Sequence, residues 1–435
     1  MGHVTGKDIY SRLGNKLDGL TARAPWNEIL HKILRELYSV DEAEVVAGMP
    51  YLASSLDRIA KLTGYERAKL RRILEGMCVK GLVMDLWIQG EFKYMISPLV
   101  VGFFEFTMMR TGPNLDTKEW AALFYQYFQD NDSFLAANCQ TGDQVSILRT
   151  LPHEESIVPY TEVLDYERAA VIVDKADKLA IGLCSCRHEK EHAGKKECDT
   201  PLETCASFGL AADFVIRRGL AREVSKEAML DNLALSRELG LVLEADNVKK
   251  RVNYICQCCG CCCNFLLGLR KFGYPNVVVT STFIAQVDLD LCLGCGQCAQ
   301  ACPVQALDMQ PIEPADADGK LEPQVDKSIC LGCGVCSLKC PTEAIKLVKR
   351  GQRVLHPETT FERVILQSLE KGTLQNQIFD NPAGMTQEFL RGLVGGFLKL
   401  SPVKKALMSD LLRSTFLRSM DAGVKLLGKG WATRI

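Results

Sequence analysis

An α+β multidomain protein is what this sequence predicts, from three observations. Through the first 138 positions apolar residues recur at helical spacing, interrupted by two strand-like runs. The cysteines are uneven: there are twenty, and only Cys78 and Cys139 precede residue 184. The last stretch carries no cysteine and alternates apolar and basic residues in helical blocks. Four segments follow: a helical domain at 1–138, a Cys-rich α/β domain at 139–285, a module of two similar Cys units at 286–350, and a helical basic tail at 351–435. A length of 435 residues suits two to four domains with sizeable cores. Net charge is −1, so no global basic field points to nucleic acid.

In the first segment Ile29, Leu30, Ile33, Leu34 and Leu37 mark one helix. Leu56, Ile59 and Ala60 mark a second, stopped by Gly64; Leu70, Ile73, Leu74 and Met77 mark a third, stopped by Gly81. Leu82–Leu86 and Glu91–Ile96 read as strands around Gln89-Gly90. Helix, helix, turn, helix, hairpin resembles a winged helix. Trp120, Leu123, Phe124, Tyr127 and Phe128 mark a further helix. The third helix displays Arg67, Lys69, Arg71 and Arg72, which in a DNA-binding winged helix would meet phosphates. Glu66 and Glu75 dilute that charge, so a protein-docking module is the preferred reading, with no nucleic-acid partner.

The second segment places short apolar runs, Val171–Val173 and Leu179–Leu183, beside its cysteines. Ser225 caps a helix from Lys226 to Leu239 that Gly240 ends, and Val277–Thr280 reads as a strand. Cys184, Cys186, Cys198 and Cys205 form one set, with His188 and His192 nearby. Cys256, Cys258, Cys259, Cys261, Cys262 and Cys263 form another around Gly260. Without an N-terminal apolar h-region no export is expected, so dense thiols read as metal ligands in a reducing cytoplasm. Ten thiols exceed the needs of one cluster, and thiolate is the ligand that iron–sulfur centres use. One or two further [4Fe–4S] clusters are expected here. A zinc ion on Cys184, Cys186, Cys198 and Cys205, with His188 or His192, is the competing reading. Dithiol–disulfide chemistry within 256–263 stays open.

In the third segment, Cys292, Cys295, Cys298 and Cys302-Pro303 form one unit, and Cys330, Cys333, Cys336 and Cys340-Pro341 the other. Each is C-x2-C-x2-C-x3-C-P, the bacterial ferredoxin run. Three thiolates must converge from a tight loop on three corners of a cube. Gly294, Gly296, Gly332 and Gly334 let the backbone curl close and offer N–H groups to sulfide. A 311–323 linker rich in Pro, Asp and Ala separates the units. The segment resembles the two-cluster bacterial ferredoxins, and the whole chain resembles ferredoxin-fused proteins of anaerobes. The ferredoxin resemblance implies two [4Fe–4S] clusters with crossed ligation: Cys292, Cys295 and Cys298 with Cys340, and Cys330, Cys333 and Cys336 with Cys302.

The tail carries Arg391, Lys399, Lys404, Lys405, Arg413, Arg418, Lys425, Lys429 and Arg434. Its apolar blocks are Phe389, Leu390, Leu393 and Phe397, then Leu407, Leu411, Leu412, Phe416 and Leu417. Such helices suit a docking partner or the cytoplasmic face of a membrane. No apolar run is long enough to cross one. No GxGxxG fingerprint or P-loop is present, so no substrate site of its own is expected. The resemblance implies electron transfer, as a subunit of or dedicated donor or acceptor for a larger oxidoreductase. The alternatives are an iron–sulfur redox-sensing DNA-binding regulator and a low-potential activator of another enzyme.

Overall fold

The computed structural model describes residues 8–140, 142–311, 321–351, 354–382 and 384–434. Its contacts gather the chain into two units. One comprises 1–138, 217–220 and 358–435; the other comprises 139–216 and 221–357. The four segments read from the sequence therefore group in pairs. The Cys-repeat module joins the Cys-rich domain, and most of the tail joins the N-terminal helices.

In the first unit, helices Glu28–Leu37, Leu56–Thr63 and Arg67–Lys80 lie where the periodicity puts them. Asn27 caps the first by accepting from the Leu30 N–H at 2.8 Å, and Gly64 and Gly81 close the others in the left-handed conformation. Strands Val83–Ile88 and Glu91–Ile96 pair antiparallel across Gln89 and Gly90, both at positive φ, as a two-residue hairpin turn requires. Helices Ile9–Asp18, Val40–Gly48, Phe104–Met109 and Ser133–Asn138 have no counterpart in the sequence reading. Ile9–Asp18 buries Leu13 and Leu17, and Val40–Gly48 starts at a capping box of Ser39 and Glu42. The tail helices are fastened to this unit through Asp380. Its nearly buried carboxylate takes Arg58 at 2.8 Å and Lys429 at 3.0 Å. Helix Met385–Leu398 leaves Met385, Phe389, Leu393 and Phe397 exposed as a stripe.

The second unit is built on a seven-stranded sheet. Its order is Ala221–Glu223, Leu179–Leu183, Glu203–Phe208, Tyr254–Cys258, Val242–Asp246, Leu148–Leu151 and Val278–Val279. Every pairing is antiparallel except that of Leu148–Leu151 with Val278–Val279. The α/β expectation is corrected to that extent: the strands pair mostly antiparallel, with helices Ser185–His192, Gly209–Arg217 and Lys226–Leu239 in their connections, and only Val242–Asp246 and Tyr254–Cys258 are joined by a short return. The Val171–Val173 run lies in a helix, Ala169–Lys175. Helix Lys226–Leu239, capped by Ser225 and ended by Gly240, buries Met229 and Leu233 against Leu179, Ile181, Phe208 and Ile255.

The repeat module adds two small antiparallel sheets. Phe283–Val287 pairs with Ile345–Lys349, and Leu307–Pro311 pairs with Leu321–Val325. The first strand of the first Cys unit thus pairs with the last strand of the second. The ends of the expected linker are strands, and its middle, 312–320, lies outside the described residues.

Candidate metal centres

The two Cys units are built alike. Gly294 and Gly296 in one, and Gly332 and Gly334 in the other, all have φ between 69° and 87°. A short helix follows each loop, Gln297–Ala301 and Val335–Leu338. Even the positive-φ residues three places after the final cysteine correspond, Gln305 and Glu343. The strand exchange brings the ends of the units across each other. Cys340 is an electrostatic neighbour of Cys298, as is Cys292. Cys302 is a neighbour of Cys330, and both act on Cys333 and Cys336. Burial pushes the Cys336 and Cys333 thiols up, so a cation must replace the proton for them to become thiolates.

The ten thiols of the middle domain gather at one end of the sheet. Side chains alternate along a strand, so Cys256 and Cys258 share a face while Gln257 points to Ser236 on the opposite side. The pairing Ala206↔Ile255 puts Cys205 on the face of Cys256. Cys184 ends strand Leu179–Leu183, and Cys186 lies in the first turn of helix Ser185–His192. Cys259 to Cys263 form the turn before helix Asn264–Phe272.

This arrangement redistributes the two sets seen in the sequence. Cys198 leaves Cys184, Cys186 and Cys205 and joins Cys259, Cys261 and Cys262, the four sulfurs lying within 4.8 Å of one another. The zinc set read from the sequence is thus not assembled. His188 and His192 face each other instead, Nε2 to Nε2 at 3.0 Å. The other thiols interact in a chain. Contact with the Cys205 and Cys258 thiols holds Cys256 well below the usual thiol range, and contact with Cys186 and Cys258 does the same for Cys263. Burial pushes Cys184 up to about 11.

Charged groups flank these sulfurs that no spacing rule flagged. Arg187 is fully buried, donating to Pro201 O at 2.9 Å and Thr204 Oγ1 at 2.5 Å, and it interacts with the Cys259 thiol. Glu244 is fully buried opposite Cys256 in register. Thr150 donates to its Oε1 at 3.2 Å, Oε2 has no partner, and burial followed by the Cys263 charge raises its carboxyl well above the usual range. Lys190 bonds both Glu189, at 2.7 Å, and Asn264, at 2.8 Å; Asn264 Nδ2 in turn lies 4.0 Å from Cys186 Sγ. The signal for these residues was weak: a charged run, Arg187 to Glu191, directly follows a Cys-x-Cys pair. The soft, all-sulfur donor set and the unpartnered Glu244 oxygen aimed among the thiols both fit a metal–sulfur group.

One family model matches the chain. Residues 291–344 match the 4Fe-4S dicluster domain. That span covers both Cys units and the sheet of Leu307–Pro311 with Leu321–Val325, the other sheet's strands flanking it on either side, and it makes this part of the protein an iron–sulfur domain of ferredoxin type, whose general chemistry is electron transfer. No curated protein and no solved structure matches the chain.

The two halves of the dicluster domain differ in surroundings. Cys295 is exposed, whereas Cys330, Cys333 and Cys336 are all buried. Sheet-domain groups cover the second loop: the His153 N–H donates to Cys333 O at 2.9 Å, Ser156 Oγ to Gly334 O at 2.9 Å, and Ser281 Oγ to Gly332 O at 2.7 Å. The thiol-rich turn also touches the dicluster domain. A Cβ on Gly260 would stand 2.7 Å from Pro303 O, so only glycine lets the 259–263 turn sit on the residue after Cys302.

Proposed function

We propose that this chain is an iron–sulfur electron-transfer protein, acting as a subunit of, or a dedicated donor or acceptor for, a larger oxidoreductase. The observation that carries this reading is the sequence of thiol loops in contact: exposed Cys295 in the first unit, the buried Cys330, Cys333 and Cys336 in the second, and the thiol-rich 259–263 turn packed through Gly260 on Pro303. A bound [4Fe–4S] cluster supplies reversible one-electron exchange. Cys292, Cys295, Cys298 and Cys340 form the ligand set a partner can approach. Cys330, Cys333, Cys336 and Cys302 form the enclosed set; the neighbour relations of Cys340 with Cys298 and of Cys302 with Cys330 support this crossing. Among Cys184, Cys186, Cys205, Cys256, Cys258 and Cys263 there are ligands enough for a further cluster.

A DNA-binding regulator gains little support. On helix Arg67–Lys80, Arg67 is already paired with Asp57 at 2.5 Å and Lys69 with Asp41 at 2.9 Å. The winged-helix-like part and the exposed Met385, Phe389, Leu393 and Phe397 stripe, beside Arg391 and Lys399, instead serve in this reading as docking surfaces for the redox partner. Among the described residues no helix is long and apolar enough to cross a membrane. The test is anaerobic purification of the full chain, with iron and acid-labile sulfide counts and a reductive titration followed by EPR. Reversible reduction of at least two [4Fe–4S] clusters is expected. Absence of labile sulfide after reconstitution overturns the reading.

A further inference from the structure

Four of the middle-domain thiols are too close together for a cubane. Cys198 Sγ lies 3.7 Å from Cys259 Sγ and 3.9 Å from Cys262 Sγ, and Cys261 Sγ lies 3.5 Å from Cys262 Sγ. All four fall within 4.8 Å of one another. Metal–sulfur bonds of about 2.3 Å in a tetrahedron put neighbouring sulfurs about 3.8 Å apart. In a [4Fe–4S] cluster each thiolate sits outside a different iron, so the body of the cube holds the sulfurs well beyond contact. The dicluster domain provides the comparison within the same chain: among the described residues, its eight motif thiols form no group this tight.

We propose that Cys198, Cys259, Cys261 and Cys262 bind a single zinc ion. Four sulfur ligands leave no open position, the pattern of a structural site. Zinc outcompetes iron(II) at a given donor set. Each thiol loses its proton on binding, and four thiolates around a divalent ion leave two negative charges. The buried Arg187 guanidinium beside Cys259 offsets one of them. The site ties the loop carrying Cys198 to the 259–263 turn, and Gly260 of that turn rests on Pro303. Zinc thereby holds the thiol-rich turn against the dicluster domain, while Cys184, Cys186, Cys205, Cys256, Cys258 and Cys263 remain for iron–sulfur chemistry. This inference goes beyond electron transfer and does not depend on it, since the cluster content of the 292–340 motifs is read separately as labile sulfide.

The experiment is elemental analysis and zinc-edge X-ray absorption on the full chain, purified anaerobically and reconstituted with iron and sulfide. One zinc per chain with four sulfur neighbours at about 2.3 Å is expected. Cys198→Ser and Cys261→Ser should each lose most of that zinc and keep iron and sulfide at the parent level. No zinc, a nitrogen-containing shell, or iron and sulfide falling in these variants overturns the proposal. Cobalt(II) loading of the unaltered chain, stripped of metals by a chelator and not reconstituted with iron and sulfide, tests the site without relying on how the variants fold: tetrahedral d–d bands with thiolate charge transfer that one equivalent of zinc abolishes support it, and an octahedral spectrum or no uptake overturns it.

Discussion

The two Cys units of the dicluster domain share a motif, a glycine pattern, a short helix and a positive-φ residue at equivalent places, yet they live in different surroundings. The first opens to solvent at Cys295. The second is roofed by His153, Ser156 and Ser281, whose groups bond the carbonyls of Cys333, Gly334 and Gly332. The motif sets how a loop presents sulfur. Its surroundings set exposure and the hydrogen bonds nearby, and these tune the potential of a bound cluster. One domain thus presents an accessible Cys loop and an enclosed one.

The largest test of this comparison is which cysteine belongs to which half. Cys340→Ala and Cys292→Ala should each abolish the accessible cluster, leaving the same residual EPR spectrum. Cys302→Ala and Cys333→Ala should share the other. If Cys340→Ala instead matches Cys333→Ala, ligation is not crossed, and the burial contrast no longer separates two clusters.

A second test sets equivalent glycines against each other. Gly296 and Gly334 both have positive φ, so alanine strains either by about 1 kcal/mol. At Gly296 the nearest atom to a new Cβ is Met309 Cγ at 3.9 Å, whereas at Gly334 it is Ser156 Oγ at 2.6 Å. Gly334→Ala should therefore destabilise by about 2–4 kcal/mol and Gly296→Ala by about 1 kcal/mol. Denaturant melts of the anaerobic protein read the difference; equal losses would mean that the second loop is not packed as described.

How far the sequence could be read follows the same divide between local and distant. The doubled C-x2-C-x2-C-x3-C-P run is local, and so are the Ser225 cap, the Gly240 stop and the hairpin at Gln89-Gly90. Each depends on neighbours within a few residues, which spacing rules capture. The grouping of Cys198 with Cys259, Cys261 and Cys262 depends on strand order in a mostly antiparallel sheet, which brings residues 198 and 259 together. Nothing near Cys198 in sequence marks it as a member of another set. Glu244 and Arg187 were missed for the same reason: their burial among thiols is a property of the sheet, not of the segments that carry them.

The smallest expected effect concerns acid, and it separates the dicluster domain from the body enclosing its second half. The segment 286–350 contains no histidine, whereas the surrounding unit buries His356 beside Asn247, Nδ1 to Oδ1 at 2.8 Å. Burial, followed by the charges of Arg149 and Lys249, holds the His356 imidazole down at about 3, against the ordinary 6.5. The folded state therefore keeps it neutral at a pH where the unfolded chain takes up a proton. Stability from this group is complete above the unfolded value and is lost as pH falls toward the folded one. Between about pH 6.5 and about pH 5.5 the loss is about 1 kcal/mol. His356→Gln removes the titrating group, so the gap between its stability and the parent's should narrow by that amount over the same interval. Calorimetry of both proteins across that range measures it. A parallel pair of curves would show that His356 is charged or solvated in the folded protein, and that the enclosing body is less tightly closed than its contacts with the second loop require.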